Sequence, residues 1–413
     1  MRTGVLGERS FRLLVVGQGV SSIGDGVAPV ALAFGVLQLT GSVRDLGLIL
    51  AARSLPLIVF VLIGGVWSDR LSRQAVMLFS DFGRAGVQGA SAALLLGGSA
   101  HIWELACLQA VYGFAKAFFG PASIGLLPQT VKVEQLQQAN AFMGVSENVA
   151  SVLGPALGGV LVVAAGAGWG LAFDGAAFLV SAASLQMLRL APVAFPPRRS
   201  TIAELREGWQ AFRSRRWLSV SVVSLAFIVT IVFAPLDVLG PEVARAHLGG
   251  AGAWAAITTA LGIGAVAGGA VGLRWKPRYP VRAGFLATLA GEPIMLALLG
   301  AGGPLVAIVV FALISGVAGT VFNVFWFTLL QREIPEEELS RVSSWDYLGT
   351  YALQPIGLAT VGPIALVVGL STTLYVAGAL AALTTCVVLA MPAVRNFAPV
   401  SLPAGAVALD TEE

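Results

Sequence analysis

Long apolar runs, separated by short polar turns, recur from near the start of the chain to about residue 391. Twelve of these runs are long enough, at ~1.5 Å per residue, to cross a ~30 Å hydrocarbon layer as helices. They fall near 11–38, 46–68, 75–98, 103–127, 139–165, 168–190, 217–240, 252–273, 281–301, 303–330, 345–368 and 371–391. Helix is expected rather than strand, because the runs are continuous and a closed barrel needs short segments of alternating polarity. The pattern predicts an all-α membrane protein. The first run is too long for a secretory leader, contains Asp25 and precedes no cleavage pattern, so it is expected to remain in the mature chain.

Composition agrees with this reading. Of 413 residues, 57% are hydrophobic and only 11% charged, too little polar surface for a soluble protein of that length. The net charge of +3 points to no nucleic-acid partner, but the placement of the basic residues is informative. Of the 25 lysines and arginines, 21 are assigned to the side that holds both termini, Arg70, Arg73 and Arg84 among them; Arg44 and Arg245 fall on the other side, and Arg53 and Lys116 within spans. Both termini are therefore expected in the cytoplasm, as an even number of spans requires. Cys107 and Cys386 lie inside spans and are read as small apolar core residues.

A polar stretch near 191–216 divides six spans from six. The expected domains are a six-helix bundle at 1–190, a cytoplasmic linker at 191–216, a second six-helix bundle at 217–391 and a cytoplasmic tail at 392–413. The linker is expected to carry an amphipathic helix with Ile202, Leu205, Trp209 and Phe212 on one face. The halves echo each other: Gly64-Gly65 with Arg70 returns as Gly268-Gly269 with Arg274, "VKVEQL" at 131–136 as "IPEEEL" at 334–339, and Gly154-Pro155 as Gly362-Pro363. Such internal duplication, with binding near the midplane between repeats, is how secondary transporters are commonly built.

Two motifs carry a family resemblance. "GVWSDRLSRQ" at 65–74 resembles the loop motif of the major facilitator superfamily between its second and third spans, through Gly65, Asp69, Arg70 and Arg73; Ser72 stands for a usual glycine and Gln74 for a usual basic residue. "SVLGPALGGVL" at 151–161 is similar to the helix motif of that superfamily's drug–proton antiporters, through Gly154, Pro155, Gly158 and Gly159. With "LFSDFGRAG", "FFGPASIGLLPQTV", "FDGAAFLVSA" and "SRVSSWDYLG", nearly the whole chain resembles the branch of macrolide and siderophore exporters. The resemblance implies two six-helix pseudo-repeats and alternating access. It also implies a cytoplasmic gating cluster, to which Asp81 and Arg84 are assigned beside the loop residues. Where many drug antiporters carry an arginine in span four, this chain has Gln109, with Lys116 seven residues on as a substitute charge.

Ionisable groups inside spans are costly and mark candidate function. Asp25 and Arg53 lie about 14 and 15 residues from the cytoplasmic ends of their spans, roughly 21–23 Å at ~1.5 Å per residue, and can pair. Two uses stay open for them: proton coupling or substrate contact, and a static pair that fixes packing. Glu147 is a second proton or cation candidate with Lys116 as its expected partner, a packing carboxylate hydrogen-bonded across helices being the alternative, and Glu292, read as the sole carboxylate deep in the second half, is a further coupling candidate. Asp174 and Asp346 are read as structural groups near helix ends, Asp237 as a residue of the outer interface. Gln109, Phe118, Phe119, Asn323, Trp326 and Phe327 are candidates for lining an amphiphilic cavity, aromatic packing against lipid being the alternative for the rings.

No Gly-Lys-Ser/Thr phosphate loop, metal-ligand set or nucleophile constellation accompanies these residues, so no cofactor, metal site or catalysis is expected. The expected function is export of a small, partly hydrophobic compound in exchange for protons by a monomer in a bacterial inner membrane. A proton-independent facilitator or importer of the same fold and a non-transporting receptor or assembly subunit are the alternatives.

Overall fold

The computed structural model describes residues 4–190 and 201–395. Six helices precede the linker: α1 (Arg9–Thr40), α2 (Val43–Arg70), α3 (Arg73–Leu96), α4 (Ile102–Leu126), α5 (Leu136–Ala165) and α6 (Ala167–Gln186). The linker helix is α7 (Thr201–Ser214). After it come α8 (Arg216–Val243), α9 (Ala251–Arg274), α10 (Pro280–Thr288), α11 (Glu292–Gly300), α12 (Leu305–Glu333), α13 (Glu336–Tyr351), α14 (Gln354–Val368), α15 (Leu370–Ala390) and the short α16 (Pro392–Arg395). Helices occupy all twelve expected places, and among the described residues ten are long and apolar enough to cross a membrane.

Two of the expected spans are broken. The ninth divides into α10 and α11, the eleventh into α13 and α14. In each case the second segment carries a proline at its second position, Pro293 or Pro355. Proline has no N–H to give to the preceding turn and disfavours helical geometry in the residue before it. Gly291 adds to the ninth break, since it lets the chain press against the backbone of Ser315 in α12.

The turns at one end of the molecule are tight, and left-handed glycines such as Gly41 (φ 66°) and Gly369 (φ 93°) reverse the chain there without strain. The opposite end carries the arginine-rich loops. α1 packs on α5 and α6, and α3 and α4 pack on each other. In the second half α9 packs on α12, and α8 and α11 on α15. The halves of the chain meet where α5 crosses α9 and α2 crosses α14.

These two crossings are closest toward the glycine-turn end. A Cβ on Gly262 of α9 would strike the carbonyl of Ser151 in α5, and one on Gly159 of α5 would strike Ala255 of α9. Likewise Gly47 of α2 lies against the carbonyl of Leu358, and Gly362 of α14 against Val43 and Arg44. Gly362 thus does for α14 what Gly159 does for α5, whereas Gly154, its partner in the sequence repeat, meets Gly26 of α1 within the first half.

Two turns toward the arginine-rich end the same faces separate. Gly144, seven residues before Ser151, and Gly269, seven after Gly262, have nothing within 4 Å of where a Cβ would be. A cleft between the halves opens in that direction.

Of the expected apolar face of the linker helix, Trp209 and Phe212 are described, and both pack on protein. Trp209 stacks on Phe212 (5.8 Å) and packs against Trp345 of α13 (4.9 Å), and Gly208 sits against Arg341. Ion pairs Arg341–Glu207 and Arg215–Glu338 (2.8 Å) fasten it there. The side chains of Ile202 and Leu205, residues 191–200 and the tail from 396 lie outside the described residues. Cys107 and Cys386 are exposed, not core: their faces of α4 and α15 point away from neighbouring helices.

Candidate functional site

The site is built from two matching stripes. Asp81, Arg84 and Gln88 of α3 are spaced i, i+3, i+7, and so are Gln109, Tyr112 and Lys116 of α4, so each set lines one helical face. Gly113 brings α4 hard against α2, because any Cβ there would collide with the backbone carbonyl of Arg53. That approach places the Arg53 guanidinium 3.9 Å above the Tyr112 ring.

Asp25 of α1 enters between the stripes. The Tyr112 hydroxyl donates to its Oδ1, Lys116 Nζ lies 3.2 Å from the same oxygen and Arg53 3.9 Å from it, while Arg84 lies 3.6 Å from Oδ2. Arg84 also holds Asp81 at 2.5 Å and is sandwiched by Phe119 (4.2 Å) and Phe178 (4.1 Å). One layer nearer the glycine-turn end, Gln109 donates to Gln88 (3.1 Å) and Gln88 to Asp174 of α6 (2.6 Å).

Three carboxylates, Asp25, Asp81 and Asp174, thus share an interior with three cations, Arg53, Arg84 and Lys116. Burial of so many charges is tolerable only because each has a partner. Asp81, Arg84 and Asp174 are fully enclosed; Asp25 and Lys116 keep 25% and 36% of their side-chain surface, so the cluster is reached from outside at those two groups.

The sequence-based expectations fare differently here. Asp25 and Arg53 do meet. Lys116 pairs with Asp25 and not with Glu147, because it shares the face of Tyr112, which α4 turns toward α1. Asp81 and Arg84, expected beside the loop residues, lie two to three turns inside α3 and are buried. Asp174 is a bonded structural group, but it sits within α6 in the buried cluster rather than near a helix end. Tyr112, Gln88 and Asp174 were not among the expected site residues, although the repeated i, i+3, i+7 spacing of polar groups in two apolar helices was a signal for the first two.

In the loop motif, the backbone of Gly65, Asp69 and Arg70 completes α2, and their side chains lie outside the described residues. Arg73 donates to the carbonyl of Gly125, a glycine whose missing side chain makes room for the guanidinium. Both departures from the family motif have local uses. Ser72 caps α3 by accepting from the Ala75 N–H, and Gln74 donates to the carbonyls of Leu185 (2.6 Å) and Leu188 (3.3 Å) at the end of α6. In α5, Gly154 and Gly158 admit Gly26 and Val27 of α1, with the Pro155 ring also beside Gly26, and Gly159 admits α9.

Glu147 lies one turn from Ser151 on the face between α1 and α9, where the halves begin to part; it is exposed and makes no ion pair among the described residues. Of the candidate cavity residues, Asn323 and Phe327 are exposed on one face of α12 and Phe119 touches Arg84. Gln109, Phe118 and Trp326 are buried and line no open space: Gln109 is tied into the polar layer and Phe118 packs on Phe114 (5.0 Å). Trp326 stacks on Phe322 (5.9 Å) and donates to both oxygens of Asp346 (3.2 Å).

Glu292 is not the sole deep carboxylate of the second half. Asp346 is buried within α13, away from either helix end, and Asp237 sits 11 residues inside the span that ends at Leu248, roughly 16 Å at ~1.5 Å per residue, well below the surface expected for it. Among the described residues no group of three or more His, Cys, Asp or Glu is placed to hold a metal ion.

Membrane-length helices in two halves that cross at α5–α9 and α2–α14, with a buried charge cluster within the first, fit a secondary transporter. The sequence profile of the Major Facilitator Superfamily matches residues 14–358, and the chain belongs to that superfamily; it is a multi-pass membrane transporter and not an enzyme. It is 27% identical over 401 residues to the multidrug efflux pump Tap of Mycolicibacterium fortuitum, covering 92% of this chain and 95% of that one. It is 26% identical over 367 residues to the enterobactin exporter EntS of Escherichia coli O1:K1 / APEC, covering 86% and 84%. Its fold is similar to that of the nucleoside transporter NupG, with a TM-score of 0.74 at 12% identity over 92% of this chain and 98% of that one.

Proposed function

We propose that this transporter exports small hydrophobic or amphiphilic compounds from the cytoplasm in exchange for protons, the two six-helix halves rocking about the α5–α9 and α2–α14 crossings. The observation that carries the reading is the position of Asp25: one carboxylate of α1 takes a hydroxyl and three cations from α2, α3 and α4. Adding a proton to it weakens four contacts at once and frees α1 from three neighbours, so occupancy by a proton and helix arrangement are coupled. Its partial exposure gives the proton a way in.

Glu147, unpaired on the cleft face, is assigned to substrate or proton contact, and Asn323 and Phe327 to the opposite wall. The similarity to an efflux pump and an exporter supports the outward direction. The arginine-rich end is read as cytoplasmic, with both termini there, in a bacterial inner membrane, and the working unit as a monomer. Asp69 and Arg70, with Arg73, are assigned to the latch that closes that end.

The test is transport of ethidium by the purified protein in liposomes with and without an imposed pH difference. Wild type is expected to move the dye against its gradient only when the pH difference is present, and Asp25→Asn to lose that drive. Glu147→Gln is expected to weaken dye handling while the response to the gradient persists. Transport by wild type that ignores the pH difference would sink proton exchange.

A further inference from the structure

Glu292 occupies the middle of the ninth span, at the first position of α11, immediately after the break. It is 9% exposed, and among the described residues it makes no hydrogen bond and no ion pair. The helices packed on α11 are α8, α12 and α15. Of their titratable residues, α8 carries Asp237 and α15 carries Tyr375, the latter packed by Gly300 at the far end of α11; the charged residues of α12, Arg332 and Glu333, sit at its far end, and Arg282 lies in the first turn of α10. No cation of the second half reaches this depth.

An ionised carboxylate is costly at that depth, because no counter-charge stands beside it to offset the hydration it gives up. The break also supplies a place for the charge once it forms. Pro293 brings no N–H, so the helix start offers only those of Glu292 itself and Ile294, and the start of a helix favours a negative charge. The helix start accommodates the anion when water enters.

We propose that Glu292 is a proton-binding site of the second half, distinct from Asp25, whose proton passes to water and leaves a carboxylate on the α11 N-terminus when the ninth-span break is wetted. Its use as a second coupling site rests on the proton-exchange reading above; the binding itself does not.

Infrared difference spectra of the full-length protein in lipid nanodiscs, taken between acidic and alkaline medium, test it. A carboxylic-acid C=O band that disappears at alkaline pH and shifts in D2O is expected, with one component lost in Glu292→Gln and kept in Asp25→Asn. Glu292→Asp retains a carboxyl and is expected to shift that component, which keeps the test valid if the glutamine variant folds poorly. A spectrum unchanged by Glu292→Gln, or a band that sodium removes at constant pH, overturns the proposal. Ethidium transport in the same preparations separates the two claims: dye movement that ignores pH while the Glu292 component is present ends the exchange reading and leaves the proton site standing.

Discussion

The two halves of the chain hold their buried acids in opposite ways. In the first, Asp25, Asp81 and Asp174 are interleaved with Arg53, Arg84 and Lys116. In the second, Asp237, Glu292 and Asp346 are buried or half-buried along spans whose basic residues all lie near helix ends, and Asp346 relies on a neutral indole. Mutual neutralisation ties four helices of the first half together through charge. In the second half no cation stands beside the acids among the described residues. A duplicated architecture thus has one half whose buried acids sit among cations and one whose buried acids, among the described residues, pair with none.

Four substitutions probe that contrast. Arg84→Leu should have the largest effect, leaving Asp81 buried without its cation and Asp25 with one partner fewer; a loss of about 3–5 kcal/mol is expected, read as a large fall in the thermal unfolding temperature of the purified protein. A near-neutral result would mean that the first-half charges are not paired in the working protein. Gly113→Ala should cost ~1–3 kcal/mol by overpacking the α2–α4 contact, and should reduce gradient-driven transport along with stability, since Arg53 and Tyr112 are displaced together.

Trp326→Phe addresses the second half. If Asp346 holds a proton, loss of the indole N–H should cost about 1 kcal/mol; a loss nearer ~3 kcal/mol marks a charged acceptor and breaks the comparison. The smallest effect belongs to Ser72→Gly, which restores the usual family residue: a few tenths of a kcal/mol, roughly, because glycine itself serves as an N-cap. Thermal unfolding of matched pairs resolves the first three, and hydrogen exchange at the start of α3 the last.

The fold was legible because hydrocarbon thickness imposes a length on every span, and twelve such lengths can be counted. The breaks before Pro293 and Pro355 were marked by proline yet passed over, since the apolar run continues through them. For the site, sequence supplied depth but no lateral position. Asp25, Arg53 and Lys116 were found as charges in the membrane, but the pairing of Lys116 depended on which way α4 faces. Arg84 was misplaced because arginine near a loop motif reads as surface charge; only contact with Asp25 and Asp81 reveals its burial. Asp174 needed α6 folded against α3 before its partner Gln88 could be known.

The four glycines at the crossings between halves, Gly47, Gly159, Gly262 and Gly362, put smooth backbone against the opposing helix. Contacts of that kind have no preferred direction and no discrete bond to rupture, and their strength falls off gradually as the surfaces tilt. In the rocking motion proposed above, the crossings would act as a bearing: they would carry the load between the halves at nearly constant cost through a small rotation, and leave to the charged groups elsewhere the task of deciding where the rotation stops.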